Sequence, residues 1–543
     1  MSRSAPRRAA SRRERVRAGA GGDAAPHGDA LTVAAVDLGS NSFHLVIGRV
    51  LEQEIQIVDR MREQVMLADG LDESVRLSEE SQQRALACLE RIGQRLRSVP
   101  SVRVRAVATN TLRRAKNADE FRQRAQAVLG HPIEIVSGQE EARLIFLGVA
   151  HDRYSGAPRL LVDIGGGSTE VIVGEGYEVL RSHSLFMGCV NYSRQFFPGG
   201  VLRKECFRAA EIAAALELRT IQRELRRLGW ESALGSSGTI VAVQDILRMA
   251  GVGEGPITWD GLKWLRRTMI DAGSVERMAL AGLKAERAGV LPGGLSILRA
   301  VFRCLEVEQL SAASGAMREG VLHDLVGRIR HEDIRDHTIR RLVERYHVDL
   351  GQALRVEQVA LRLLAQVEGG LDLDAAILRK LLSWAAQLHE IGLAVSHTGF
   401  HKHGAYLVQH SYLPGFSADD QCMLAAIVRA QRRKITRPVF GDVPTPAVRS
   451  VSRLCVLFRL AVLLNRSRTP QVVPALGVDS DWRCLRLLFP AGWSEAHPLT
   501  RADLELEAGH LRGVGVELRV EEQPQAADRR GKRAARDRAG VAR

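Results

Sequence analysis

Apolar positions along this chain follow two periods, and the change between them divides it. Between about residues 31 and 330, short apolar runs alternate with stretches of three- and four-residue spacing, which predicts strands alternating with helices in an α/β architecture. After about 331 the helical spacing takes over, through Ala353–Val367, Ala375–Leu393 and Cys422–Gln431. Beyond about 470, Cys484–Phe489 and Val514–Val520 are short apolar runs again and predict strands of a small terminal unit. Two segments of the first part nearly repeat each other. Leu31–Val36 leads through Asp37-Leu-Gly39-Ser40-Asn41-Ser42 into Leu45–Ile47, and Leu160–Val162 leads through Asp163-Ile-Gly165-Gly166-Gly167-Ser168-Thr169 into Val171–Val173. Each reads as strand, tight glycine turn, strand, with an Asp closing the first strand.

The repeats head two lobes, expected at 30–144 and 145–330. A helical domain follows at 331–466, then a small α/β unit at 467–522. The ends, 1–29 and 523–543, are Ala/Arg/Gly-rich with few large apolar residues, which predicts disordered basic tails. Those tails carry much of the formal charge of +14. Residues 1–29 hold seven Arg against three acids, and 524–543 hold seven Lys/Arg against two Asp, leaving about +5 for the rest. A charge so placed argues against a nucleic-acid partner. The seven Cys are scattered with no Cys-x-x-Cys pair, which suits a reducing compartment and gives no disulfide or thiolate-metal signature. No apolar run reaches 18 residues, and the basic N-terminus lacks the apolar centre of a signal peptide, so the expected place is the cytoplasm, free or at the membrane periphery.

The repeated turns carry the chemistry. Gly and Ser turns expose backbone N–H groups in one direction, and two such turns on duplicated lobes would face each other and hold a phosphate group. The expected contacts are Gly39, Ser40, Asn41 and Ser42 from the first turn and Gly165, Gly166, Gly167, Ser168 and Thr169 from the second. Asp37 and Asp163 could each hold a hydrated divalent cation that bridges to phosphate oxygens; a bond to their own turn backbone is the plainer role. Glu170 after the second turn is matched by His44 after the first, which makes the second lobe the better metal side. A third glycine turn, Gly235-Ser236-Ser237-Gly238-Thr239, precedes a helix and suits anion contact.

Two further segments offer side chains. Ser137 followed by Glu140 fits a capping box at a helix start, which leaves Glu141 as the unassigned carboxylate. Glu141 could deprotonate a water for attack on phosphorus, or be a solvated acid favoured by the helix dipole. The strand Val102–Ala108 ends at Thr109, and the helix after it is expected to set Arg113 and Asn117 one turn apart on one face. Arg113 could fork onto phosphate oxygens or be one more surface arginine.

Together these residues resemble the exopolyphosphatase/guanosine pentaphosphate phosphatase family, part of the sugar kinase/actin-like superfamily. The similarity runs from about Ala34 to Val520. It rests on Asp37–His44, Thr109–Asn117, Ser137–Phe146, Asp163–Glu170 and Gly235–Thr239, while Leu388–Leu393 and His397–Tyr406 look like the long, exopolyphosphatase-type members. The resemblance implies two actin-like (ribonuclease H-like) lobes, a helical degenerate HD-type domain and a small C-terminal α/β unit. It also implies Glu141 as catalytic base, Mg²⁺ (or Mn²⁺) held with Asp163 and Glu170, a terminal phosphate held by Arg113 and the two glycine loops, and a homodimer. Ser314 stands where similar sequences are expected to carry an acid.

The helical half holds His389-Glu390, similar to a His-Asp metal signature, but Arg355 and Asn465 stand where other ligands would be expected, so the set is incomplete for a metal. A cationic stretch remains: His397, His401, Lys402, His403, Arg429, Arg432, Arg433 and Lys434. It is either a solvated face, with His401 and His403 in the core, or a track along which inorganic polyphosphate would be held electrostatically. The expected activity is therefore processive release of orthophosphate from the end of polyphosphate. Removal of the 5′-phosphate of guanosine pentaphosphate is the near alternative. An ATP-consuming kinase or chaperone and a non-catalytic polyphosphate- or alarmone-binding sensor are the more distant ones.

Overall fold

The computed structural model describes residues 31–51, 54–253, 255–330, 332–367, 371–468, 473–474 and 476–523. The predicted tails, Gln523 excepted, lie outside the described residues. The first sheet is built from β1 (Leu31–Leu38), β2 (Ser42–Leu51), β3 (Glu54–Gln64), β4 (Val104–Ala108) and β5 (Ile133–Ile135), in the order β3-β2-β1-β4-β5. Its helices are α1 (Glu79–Leu96), α2 (Asn110–Arg114), α3 (Ala118–Leu129) and α4 (Gly138–Asp152). The second sheet comprises β6 (Arg159–Ile164), β7 (Thr169–Glu175), β8 (Glu178–Leu185), β9 (Ser232–Ser236), β10 (Ile257–Thr258) and β11 (Gln309–Ala312), ordered β10-β11-β9-β6-β7-β8. Around it lie α5 (Cys189–Phe196), α6 (Lys204–Arg219), α7 (Gln222–Leu228), α8 (Gly238–Met249), α9 (Trp259–Ala272), α10 (Ala285–Ala288), α11 (Leu291–Leu305) and α12 (Met317–Ile329).

The lobes repeat one plan. Each central strand, β1 or β6, runs antiparallel to the strand after its turn and parallel to a later one. Asp37 faces His44 across the first hairpin and Asp163 faces Glu170 across the second, so the sequence match is also a structural one. β1 is apolar on both faces because both are covered. Ala34, Val36 and Leu38 pack with α1 and α3, whereas Val33 and Ala35 pack with α4 and α12. That second cluster also takes in Leu161, Ile172 and Leu234 of the other sheet, which makes α4 and α12 the shared spine of both lobes. The two helices approach so closely that a Cβ on Gly320 would lie 1.8 Å from the Leu144 carbonyl oxygen. The expected border at 144/145 therefore falls inside α4, a helix that belongs to both lobes.

The helical domain is formed by α13 (Ile334–Arg345), α14 (Leu350–Val367), α15 (Ala375–Leu388), α16 (Phe400–His410), α17 (Ala418–Ala430) and α18 (Val448–Leu464). The apolar spacing read to Leu393 overshoots the helix: α15 ends at Leu388, and Ile391–Ala394 forms a 3₁₀ turn. The terminal unit has α19 (Trp493–Ala496), α20 (Pro498–Leu511) and a sheet of β12 (Gly477–Ser480), β13 (Cys484–Phe489) and β14 (Glu517–Glu522). Its Leu485, Leu487, Phe489, Leu504 and Leu511 lie in the same apolar cluster as the six helices. A buried ion pair, Arg459 to Glu507 at 2.5 and 2.8 Å, closes that junction. Among the described residues no helix is long and apolar enough to cross a membrane.

Candidate active site

The two repeated turns meet. A Cβ on Gly166 would lie 3.2 Å from Ser40 Cβ and 3.6 Å from Asn41 Cβ, and one on Gly167 would lie 2.8 Å from Asn110 Oδ1. The second turn is closed by Gly165 N–H donating to Ser168 O at 2.9 Å and is braced by Cys189 N–H donating to Gly165 O at 2.9 Å. In the first, Thr111 Oγ1–H donates to Ser40 Oγ at 2.8 Å. Between them opens a cavity of about 540 Å³, lined by both turns, Thr109, Ser236–Gly238, Asp37, Glu141 and Asp163.

The third turn is strained at the cavity wall. Ser237 sits at φ 100°, in the left-handed region unusual for a residue with a Cβ, and its buried Oγ has no partner. Such strain is held in place by its surroundings and clusters where ligands are gripped. At the next residue, the start of α8, a Cβ on Gly238 would lie 2.0 Å from an Arg287 guanidinium nitrogen. Only glycine lets that cation lie against the helix N-terminus.

Asp37, Asp163 and Glu170 all feel the negative charge of Glu141. Burial, and then the Glu141 and Asp163 charges, push Asp37 up to about 7; Arg318 opposes the shift. Burial also pushes Asp163 up to about 6, against the hydrogen bond from Ser236. Glu170 is raised well above the usual carboxylate range, first by burial and then by Glu141 and Asp163; Ser184 Oγ–H donates to it at 2.8 Å. Glu141 is raised by burial and held back by Arg113, whose Nη1 donates to Glu141 Oε2 at 2.7 Å and to Val136 O at 2.9 Å. Asp37 Oδ1 is buried with no hydrogen-bond partner.

An orphaned carboxylate oxygen amid mutually repelling acids fits a hard divalent cation. Among the described residues, however, no three His, Cys, Asp or Glu side chains group closely enough to form a complete cage. A cation held by one or two carboxylates, with water and phosphate oxygens completing its shell, is the mode Mg²⁺ prefers.

Several expected contacts are placed elsewhere. Asn117 is not one turn beyond Arg113 on a helix: α2 ends at Arg114, and Asn117 precedes α3. Its amide is spent on Leu77, accepting from the backbone N–H at 2.8 Å and donating to the carbonyl at 3.1 Å. Thr169 Oγ1–H donates to Met187 O at 2.6 Å, and Thr239 Oγ1–H to Ile164 O at 3.4 Å, so both hydroxyls brace the turns. Gly235 lies within β9, where a Cβ would strike Ile240 and Leu310; it is a packing position. Arg113 reaches the cavity only through Glu141. Ser314 Oγ–H donates to Asp152 at 2.6 Å.

The capping box is half made. Ser137 Oγ accepts from Glu140 N–H at 3.1 Å, but the Glu140 carboxylate turns inward to Arg143, with two contacts of 2.8 Å. There it also accepts the Gly415 N–H of the helical domain at 3.0 Å. Tyr412 O–H donates to Gln139 O at 3.3 Å, so the turn before Glu141 is gripped from behind by another domain.

Sequence reasoning missed the cavity's cations, Arg60, Arg62, Lys284, Arg287 and Arg318. They come from distant parts of an Arg-rich chain, and no local pattern marks them. Of the expected basic track, Arg429, Arg432, Lys402 and Arg433 all act on His401, which burial and those cations push down to about 4. His401 is itself buried, the core placement left open above. His397, Arg432 and Arg433 line a separate cavity of the helical domain. His403 lies on α16 and Lys434 just beyond α17.

A model described as the Ppx/GppA phosphatase family matches residues 46–329, and one described as Ppx/GppA phosphatase, domain III, matches 334–508. The chain is 40% identical over 494 residues to a guanosine-5′-triphosphate,3′-diphosphate pyrophosphatase of Vibrio vulnificus, covering 91% of this chain and 99% of that protein. To the protein of the same name from Vibrio cholerae it is 40% identical over 488 residues, covering 90% and 98%. Among solved structures, an exopolyphosphatase from Cytophaga hutchinsonii shares the fold, with a TM-score of 0.50 and 23% identity over 55% of this chain and 98% of that one.

Proposed function

The chain belongs to the Ppx/GppA phosphatase family, and we propose on that footing that it removes the terminal 5′-phosphate of guanosine pentaphosphate, giving orthophosphate and guanosine tetraphosphate. The observation that carries the choice of substrate is the 40% identity, over 91% of the chain, to a protein named for that nucleotide. The expected preference for polyphosphate thus becomes the second reading.

The site supports the chemistry as follows. The terminal phosphate sits between the Gly39–Ser42 and Gly165–Ser168 turns, whose backbone N–H groups meet the charge on its non-bridging oxygens. The rest of the highly charged nucleotide lies over Arg60, Arg62, Lys284, Arg287 and Arg318. A water attacks phosphorus opposite the leaving phosphate, and its proton passes to the Glu141 carboxylate, held by Arg113. The P–O bond to the β-phosphate breaks as the new P–O bond forms. Asp37 and Asp163, with the charge of Glu170 behind them, would hold Mg²⁺ or Mn²⁺, which when bound offsets charge on the phosphate chain.

Polyphosphate hydrolysis remains the second reading because the clamp holds only a terminal phosphate, and the cations converging on His401 suit a longer anion. Measuring kcat/KM for guanosine pentaphosphate and for long-chain polyphosphate under one set of conditions decides between them. A preference for the nucleotide is expected; a large preference for the polymer would reverse the assignment.

A further inference from the structure

The helical domain contains a second cavity, of about 460 Å³, that the hydrolysis does not use. Its size lies within the usual range for small-molecule sites. Its acids are already committed: Glu390 to Arg468, Asp503 to Arg466 at 2.8 Å, and Glu507 to Arg459 at 2.5 Å. Arg432 and Arg433 also line it, and among the described residues no carboxylate lies within ion-pair distance of either. Arg432 instead lies over the Phe400 ring, 5.2 Å from its centroid. The cavity thus carries uncompensated positive charge, and His397 lines it as well.

Two further observations point to a ligand. Gln431, 3% exposed, lines the cavity. Its Nε2 is spent on His389 O and Val428 O, while its Oε1 is buried with no partner. Both amide protons are used, so that oxygen is left without a donor in the structure. Arg433 at φ 67° and Arg468 at φ 55° both hold left-handed backbones, so two of the eight such non-glycine residues among the described ones line one cavity.

A bare phosphate satisfies the arginines but fills only a small part of the roughly 460 Å³. The apolar wall of Leu393, Val462, Leu463 and Leu506 is equally unsuited to a simple anion. We propose that this cavity is a second binding site, which takes a nucleoside di- or triphosphate with its phosphates on Arg432, Arg433 and His397 and a base N–H donated to Gln431. The proposal stands apart from the choice of substrate at the cleft.

The test uses the full chain carrying Glu141→Gln, titrated calorimetrically with GDP and with tripolyphosphate, with and without Arg432→Gln and Arg433→Gln. Removing the arginines is expected to remove one equivalent of GDP per chain, whether or not the cleft takes GDP as well. Amide exchange on the chain with its arginines intact gives a second readout: GDP is expected to protect residues 389–397 and 431–433. Unchanged stoichiometry, or no protection there, would overturn the site. Tripolyphosphate binding at this site as tightly as GDP would overturn the nucleotide assignment.

Discussion

The backbone N–H of Gly415 donates to the Glu140 carboxylate at 3.0 Å, so the helical domain is fastened to the same turn of α4 that presents Glu141 to the cleft. Glu140 is fully buried and shares Arg143 with Asp324 of α12, so two lobes and the helical domain meet at one acid. Replacing it by Gln leaves the volume and removes the charge that Arg143 faces. Breaking one side of a buried ion pair costs about 3–5 kcal/mol, less here because Asp324 still faces Arg143. We expect Glu140→Gln to lower kcat far more than it changes KM, with a drop in denaturant midpoint; unchanged kcat would show that the seat does not position Glu141.

Arg113 opposes the effect of burial on Glu141. Without the guanidinium, Glu141 stays protonated to higher pH and is a usable base over a narrower range. Arg113→Ala is therefore expected to move the acid limb of kcat/KM upward by about one pH unit, the scale of a nearby opposite charge. Arg113→Lys should restore part of the shift. A profile that falls in height without moving would mean that Arg113 does not act through Glu141.

Gly188 buttresses the second turn: a Cβ there would lie 2.2 Å from the Gly166 carbonyl oxygen. Backbone cannot swing aside as a side-chain end can, so Gly188→Ala must displace the turn. The expected outcome is a fall in kcat/KM of about a hundredfold, the scale of a misplaced catalytic contact. Loss of activity through global unfolding would show instead as a collapsed thermal transition.

The glycine turns and their acids were legible because strand, turn and strand are local, and Asp37 and Asp163 keep their places at the strand ends. Asn117 was misread because the helical pattern was carried through Ala115, whose backbone at φ −63° and ψ 123° ends α2 after little more than one turn. Glu140 was read as a cap because its true partners, Arg143 aside, lie far away in the sequence, at Arg105 and Gly415. The cleft cations were illegible for the same reason. Tertiary folding gathers Arg60, Arg287 and Arg318 from three separate segments.

Asp37 and Asp163 titrate in the fold at about 7 and about 6, above their ordinary 3.8. A raised carboxylate makes the folded state bind extra protons. Its contribution to stability is fully present below the unfolded value and is lost as pH rises through the folded one. Without divalent ions, the gain in Tm of Asp37→Asn over the parent is expected to grow between pH 5 and pH 8. Mg²⁺ should raise the parent's Tm at pH 8 and do little for the variant. Equal gains at both pH values would remove the charge repulsion from the account.

The central claim is that Glu141, beside the facing glycine turns, takes the proton of the attacking water. Single-turnover phosphate release from guanosine pentaphosphate by Glu141→Gln tests it most directly, with nucleotide binding measured on the same sample. The account predicts binding retained and release slowed by about 10²–10⁴, the usual contribution of a general base. Release within a few-fold of the parent rate would contradict it.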